Sequence, residues 1–321
     1  MARLWNSWAA VSRAAVTAAG VLALSGTAHA QLFTQHVKGS VGLKAGSQPP
    51  PGGYIVAPLL YFYSADDVRD RDGNQFPTTG NLDSSMFGVG YAHVTTKKIL
   101  GGNYGFQVLF PVGANNRIQG TEIDANPGAG LTDSVLVPLQ IGWHSQGADA
   151  NFAYTMYIPT GRYEDGATDN TGLGMWGHEF GFGTTVYLTE NRQYHAATLA
   201  SVTFSSKKED SETQPGTQLQ FEGGVGGDFL KGGLTFGLAY YAAFKLTDDE
   251  IEGLPGILIR GKNKTFAIGP EMSLAIARKN TVYGFVRVAY FFETWARTAP
   301  QGGGLFITGT FLVKPLKIPA P

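Results

Sequence analysis

Between residues 264 and 295 the chain alternates with a period of two. Phe266, Ile268, Pro270, Met272, Leu274 and Ile276 are separated by Ala267, Gly269, Glu271, Ser273 and Ala275. After a break at Arg278-Lys279-Asn280 the rhythm resumes as Val282, Gly284, Val286, Val288, Tyr290 and Phe292, with Arg287 and Glu293 on the other face. Side chains in a strand point alternately to opposite sides, so this pattern predicts β-strands with one apolar face. Both runs exceed the usual globular strand of about five or six residues. Strands of about ten residues, apolar on one side and small or polar on the other, suit a membrane-spanning barrel.

The pattern recurs along the chain and predicts twelve strands, at about 54–63, 86–96, 103–111, 133–143, 149–158, 177–189, 193–204, 217–228, 233–245, 264–277, 281–295 and 304–314. Tyr104, Phe106, Val108 and Phe110 share one face, with Gln107 opposite. Val135, Val137, Leu139, Ile141 and Trp143 share another, with Gln140 opposite, and Phe180, Phe182, Thr184 and Val186 alternate with Gly181 and Gly183. Connections alternate in length. Those at 64–85, 112–132, 159–176, 205–216 and 246–263 are long, 296–303 is shorter, and those at 97–102, 144–148, 190–192, 230–232 and 278–280 are short. Short periplasmic turns and long extracellular loops are the barrel pattern. The expected fold is therefore all-β: a transmembrane antiparallel β-barrel of about twelve strands over residues 54–314.

Composition agrees. The 321 residues carry 24 Lys+Arg against 25 Asp+Glu, a net charge of -1, which gives no electrostatic reason to expect nucleic acid. Mean hydropathy is -0.06, as alternation rather than bulk apolarity requires. At the start, Arg3 and Arg13, an apolar core from Ala14 to Leu24 and Ala28-His29-Ala30 read as a secretory signal peptide over 1–30, removed on export. A Gly/Pro-rich lead-in at 31–53 contains Pro49-Pro50-Pro51-Gly52, which no central strand tolerates. Residues 315–321 form a C-terminal tail. The expected location is the bacterial outer membrane, with its lipids as partners.

Catalytic and metal motifs do not assemble. Gly256-x4-Gly261-Lys262-Asn263 lacks the hydroxyl residue and following helix of a phosphate loop. The run 66–73 places Val68 and Thr79 where a calcium loop needs its first and last ligands. No cysteine is present, and the histidines beyond residue 30 lack zinc spacing. No catalytic residue, metal site or cofactor is expected. The polar residues opposite the apolar faces carry more weight, because a charge facing mid-bilayer costs about 2–4 kcal/mol. Gln107, Gln140, Gln220, Glu222, Glu271, Arg287 and Glu293 are accordingly expected to line the lumen.

Several segments carry a resemblance: Pro49-Pro50-Pro51-Gly52-Gly53-Tyr54, Lys98-Ile99-Leu100-Gly101-Gly102-Asn103-Tyr104-Gly105, Gly142-Trp143-His144, Pro159-Thr160-Gly161-Arg162-Tyr163, Asn170-Thr171-Gly172 with Trp176, and Ile268-Gly269-Pro270-Glu271. From about residue 39 onward the chain resembles the outer-membrane family associated with the meta-pathway of phenol degradation. The resemblance implies an outer-membrane barrel of transporter type. The expectation is a passive channel, not an enzyme, for uptake of small aromatic or hydrophobic organic compounds. The alternatives are a barrel enzyme acting on lipids and a plugged structural barrel.

Overall fold

The computed structural model describes residues 35–75, 80–120, 124–125, 128–165, 167–250 and 262–317. The signal-peptide expectation at 1–30 and the glycine motif at 256–261 lie outside these residues. Twelve long strands are present: β1 (Gly52–Arg69), β2 (Gly80–Ile99), β3 (Gly102–Gly120), β4 (Ser134–His144), β5 (Ala148–Ile158), β6 (Gly177–Tyr187), β7 (Tyr194–Ser205), β8 (Gln218–Phe229), β9 (Leu234–Lys245), β10 (Lys264–Arg278), β11 (Thr281–Arg297) and β12 (Ala299–Lys317). Each pairs antiparallel with the next, and β1 closes the ring on β12 through pairs such as Tyr61↔Phe306. Two two-residue strands, Asp124–Ala125 and Gly130–Leu131, add to β3.

Strands β4 to β11 fall within two residues of their expected limits, whereas β1, β2, β3 and β12 run several residues further. The expected 64–85 loop is partly a ladder, with Ser64↔Asp83 and Ala65↔Leu82 paired. Its charges and hydroxyls hide the strand because no lipid-facing alternation is needed there. The 296–303 connection contracts to the single residue Thr298 between β11 and β12, and the last strand takes up 315–317 of the expected tail. Short connections gather at one end of the barrel and the remaining connections at the other.

The outer surface is apolar, with Ile55, Phe62, Phe180, Phe182, Leu238 and Phe292 all exposed. Alternation misassigns facing in two places. On β4, Val135 and Val137 face the bore, as does Gln140, because the ladder to β5 slips between Leu136 and Leu139. Pro138 has no N–H to donate, and the bulge around it inverts the side-chain phase. On β11, Val282 is buried while Tyr283 and Phe285 are exposed. The ladder to β12 slips there too, between Val282 and Gly284.

The lead-in runs inside the barrel. Gln35 Nε2 donates to the Met175 carbonyl at 3.2 Å at the long-loop end, and Ser47 Oγ donates to Asp149 at 2.8 Å beside a short turn. Residues 35–47 therefore span the bore before the chain turns back into β1. The principal core forms around this segment: Leu43 packs with Tyr241, Ala267, Ala289, Phe291 and Phe306. Burying a leucine side chain contributes about 1.5–3 kcal/mol. Val41 and Ala45 pack against Ala197 and Leu199 on another wall.

Candidate functional site

Four inward carboxylates from separate strands hold the lumenal segment. Glu222 on β8 accepts the backbone N–H of Gly39 at 2.7 Å and of Val41 at 3.0 Å. Glu271 on β10 accepts the N–H of Leu43 at 3.0 Å. Glu293 on β11 accepts from Tyr63 at 2.7 Å, Tyr241 at 2.9 Å and the N–H of Gly302 at 2.8 Å, and pairs with Lys38 at 3.3 Å. Glu179 on β6 accepts from Thr203 at 2.8 Å and Tyr157 at 3.1 Å. Between Glu179 and Glu222 sits the His36 ring, with Nδ1 and Nε2 each 2.9 Å from a carboxylate oxygen. A neutral imidazole has one N–H, so satisfying both carboxylates requires imidazolium.

Carbonyls of the segment are taken as well. Arg287 donates from Nη2 to the Gly39 carbonyl at 2.9 Å and to Glu271 at 2.8 Å, and from Nη1 to the Ser40 carbonyl at 3.1 Å. Thus several polar groups of an irregular stretch of backbone find partners on the barrel wall, as burial favours. Its glycines are required by space. Gly42 has φ +81°, and a Cβ there would come 2.5 Å from Glu271 Oε1; Gly39 has φ +85°, with a Cβ 2.7 Å from the Phe291 ring.

The segment leans on the β6–β11 side and leaves a cavity of about 770 Å³ on the other. Val56, Leu59, Leu109, Val135, Val137 and Phe306 supply its apolar wall, and Gln107 and Gln140 place their amides there. At the long-loop end Thr168, Thr171 and Leu173 border it, so the 159–176 connection folds over the mouth. Asp133 anchors that cover by accepting the N–H of Leu173 at 2.9 Å and of Gly161 at 3.3 Å. At the other end Gln48 is buried, near enough to β3 and β4 that a Cβ on Gly105 or Gly142 would touch it. The chain crosses beneath the cavity at this point.

All seven residues expected in the lumen do point inward. Gln107, Gln140 and Arg287 border the cavity, whereas Glu222, Glu271 and Glu293 are occupied by the lumenal segment and its neighbours, and Gln220 is buried beside Thr203. Glu222, Glu271 and Glu293 thus hold the segment and its neighbours rather than facing open space. Sequence reading missed Glu179, His36, Lys38 and Lys44. Glu179 shares the parity of Gly181 and Gly183, which the β6 alternation already placed opposite the apolar face. The 66–73 run ends β1 at Arg69 and then turns, with Asp70 accepting the N–H of Asp72 at 2.9 Å and of Asn74 at 2.8 Å.

A closed barrel of twelve antiparallel strands with an apolar exterior and a polar, partly filled interior is an outer-membrane β-barrel fold. The sequence profile of the family of the MetA-pathway of phenol degradation matches residues 65–308, and the chain belongs to that family. The COG4313 outer membrane channel from Pseudomonas putida F1 superposes with a TM-score of 0.68 at 13% identity, covering 83% of this chain and 97% of that one. The KdgM porin gives 0.37 at 9% identity, covering 80% and 100% respectively. No protein with a curated description matches the chain by sequence.

Proposed function

We propose that the protein is an outer-membrane channel for passive uptake of small aromatic or apolar organic compounds. One observation carries this reading: the cavity of about 770 Å³ that the lumenal segment leaves open, walled by apolar side chains where porin bores are ordinarily polar. A solute enters beneath the 159–176 connection, rests against the wall formed by Leu59, Leu109 and Val137, and exchanges hydrogen bonds with Gln107 and Gln140. A cavity of this size accommodates a small organic ligand. Exit towards the periplasm requires the chain near Gln48 to shift, so the segment serves as the gate. Export by an N-terminal signal peptide delivers the chain to the outer membrane.

Deleting the gene in its host is expected to slow growth on a low concentration of an aromatic carbon source, with the defect disappearing as that concentration rises and unaided diffusion suffices. Normal growth on every such source at low concentration would count against the uptake role.

A further inference from the structure

The walls of the cavity differ in charge. Beside the buried His36–Glu179 pair, both members of which border the cavity, three Lys or Arg ion pairs lie along it among the described residues: Lys38 with Glu293 at 3.3 Å, Arg287 with Glu271 at 2.8 Å, and Lys44 with Asp228 at 2.7 Å. In each of these three, the cation is the more exposed partner, with side-chain exposures of 22% against 0%, 15% against 5% and 39% against 21%. Lys38, Arg287 and Lys44 border the cavity, while Glu293, Glu271 and Asp228 do not. The pairs are balanced in number but oriented in space, positive ends towards the cavity. They also follow the bore axis: Lys38 lies near the long-loop end, Arg287 binds the carbonyls of Gly39 and Ser40, and Lys44 reaches Asp228 near the short turns.

Among the described residues, two carboxylates share the lining, Glu179 and Asp133. Glu179 is tied to His36, Tyr157 and Thr203, and Asp133 to two backbone N–H groups. A row of cations faces a mainly apolar wall made largely by β12 and β1 to β4, so a molecule in the cavity meets positive charge on one side and, on the other, hydrocarbon interspersed with uncharged polar groups such as Gln107, Gln140 and Thr308. A low-dielectric wall strengthens such a field.

Resting on the channel reading above, we infer that the preferred solutes are amphiphilic organic anions: a ring system against the apolar wall and a carboxylate on the Lys38–Arg287–Lys44 row. A neutral analogue gains only the apolar half of these interactions, and an ammonium analogue is repelled.

The test is equilibrium binding to the purified full-length protein in detergent at low ionic strength, using three probes of one shape: 1-naphthoate, 1-naphthalenemethanol and 1-naphthylmethylammonium. Naphthoate is expected to bind about tenfold more tightly than the alcohol, and the ammonium most weakly. The double substitution Lys38→Gln/Lys44→Gln should remove most of the preference for naphthoate over the alcohol. If the double variant fails to fold, Lys44→Gln alone, at the most exposed of the three cations, should reduce it in part. Alcohol binding equal to or tighter than naphthoate, an undiminished preference in the folded variant, or no binding of any probe would overturn the inference. Because no membrane is involved, carboxylate preference without liposome flux would remove the channel and leave this site, and flux without that preference would do the reverse.

Discussion

Glu222 accepts the backbone N–H of Gly39 at 2.7 Å, joining positions 183 residues apart, a strand of the barrel wall and a glycine in its bore. The same carboxylate takes the N–H of Val41 and lies against His36, so one side chain satisfies three groups of the lumenal segment. Each buried donor left unpaired costs about 1–3 kcal/mol. Glu222→Ala is therefore expected to loosen the segment while the barrel still forms, and Gly42→Val should do the same by clashing with Glu271. Planar-bilayer recordings should show larger or longer openings than the unsubstituted protein, with folding checked by heat-dependent electrophoretic mobility. Unchanged recordings from both folded variants would mean that the segment does not obstruct the path.

Facing can be tested where alternation alone gives the wrong answer. Phe182, in the middle of β6, is 55% exposed on the outer surface, and Phe182→Arg should impair assembly at a cost of about 2–4 kcal/mol. Val137 borders the cavity, so Val137→Arg should assemble and instead narrow the path. Equal assembly defects would place Val137 on the lipid side.

Much of the architecture was legible because lipid on one side imposes a period of two on every spanning strand. That signal marked all twelve strands and the inward parity of Glu222, Glu271 and Glu293. It fails where lipid makes no demand or where the ladder slips. The extension of β1 through Asp66, Asp67 and Arg69 lies beyond the apolar band, and Pro138 inverts the facing of Val135 and Val137. The lumenal segment has no periodicity, since its backbone is irregular and its partners lie 102 to 255 residues away. Only its small residues and cations, set against carboxylates stranded on a barrel interior, hinted at the match.

The absence of cysteine makes single-cysteine labelling a clean test of topology. A membrane-impermeant thiol reagent should modify Thr168→Cys on intact cells, whereas Lys279→Cys, in the turn between β10 and β11, should react only after the outer membrane is opened. Modification of Lys279→Cys from outside would invert the orientation.

Lys208, in the 206–217 connection, lies 5.2 Å from the centroid of the Tyr163 ring. Burial lowers its pKa from 10.5 to about 8, although Asp165, Asp133 and Asp249 pull the other way. Between these values the unfolded loop binds more protons than the folded one, so the packing of this connection should strengthen as pH rises from about 8 towards 10.5. NMR of the ¹³C-dimethylated protein should show one lysine titrating near pH 8, and that resonance should be missing in Lys208→Gln. A midpoint for Lys208 in the ordinary lysine range would contradict its buried placement.

Flux of a small aromatic solute into liposomes carrying the purified protein bears most directly on the channel. Entry should be faster than into empty liposomes of the same lipid, and faster again with Glu222→Ala. Rates indistinguishable from empty liposomes for both proteins would contradict the channel and leave a barrel whose lumenal segment is a permanent structural plug.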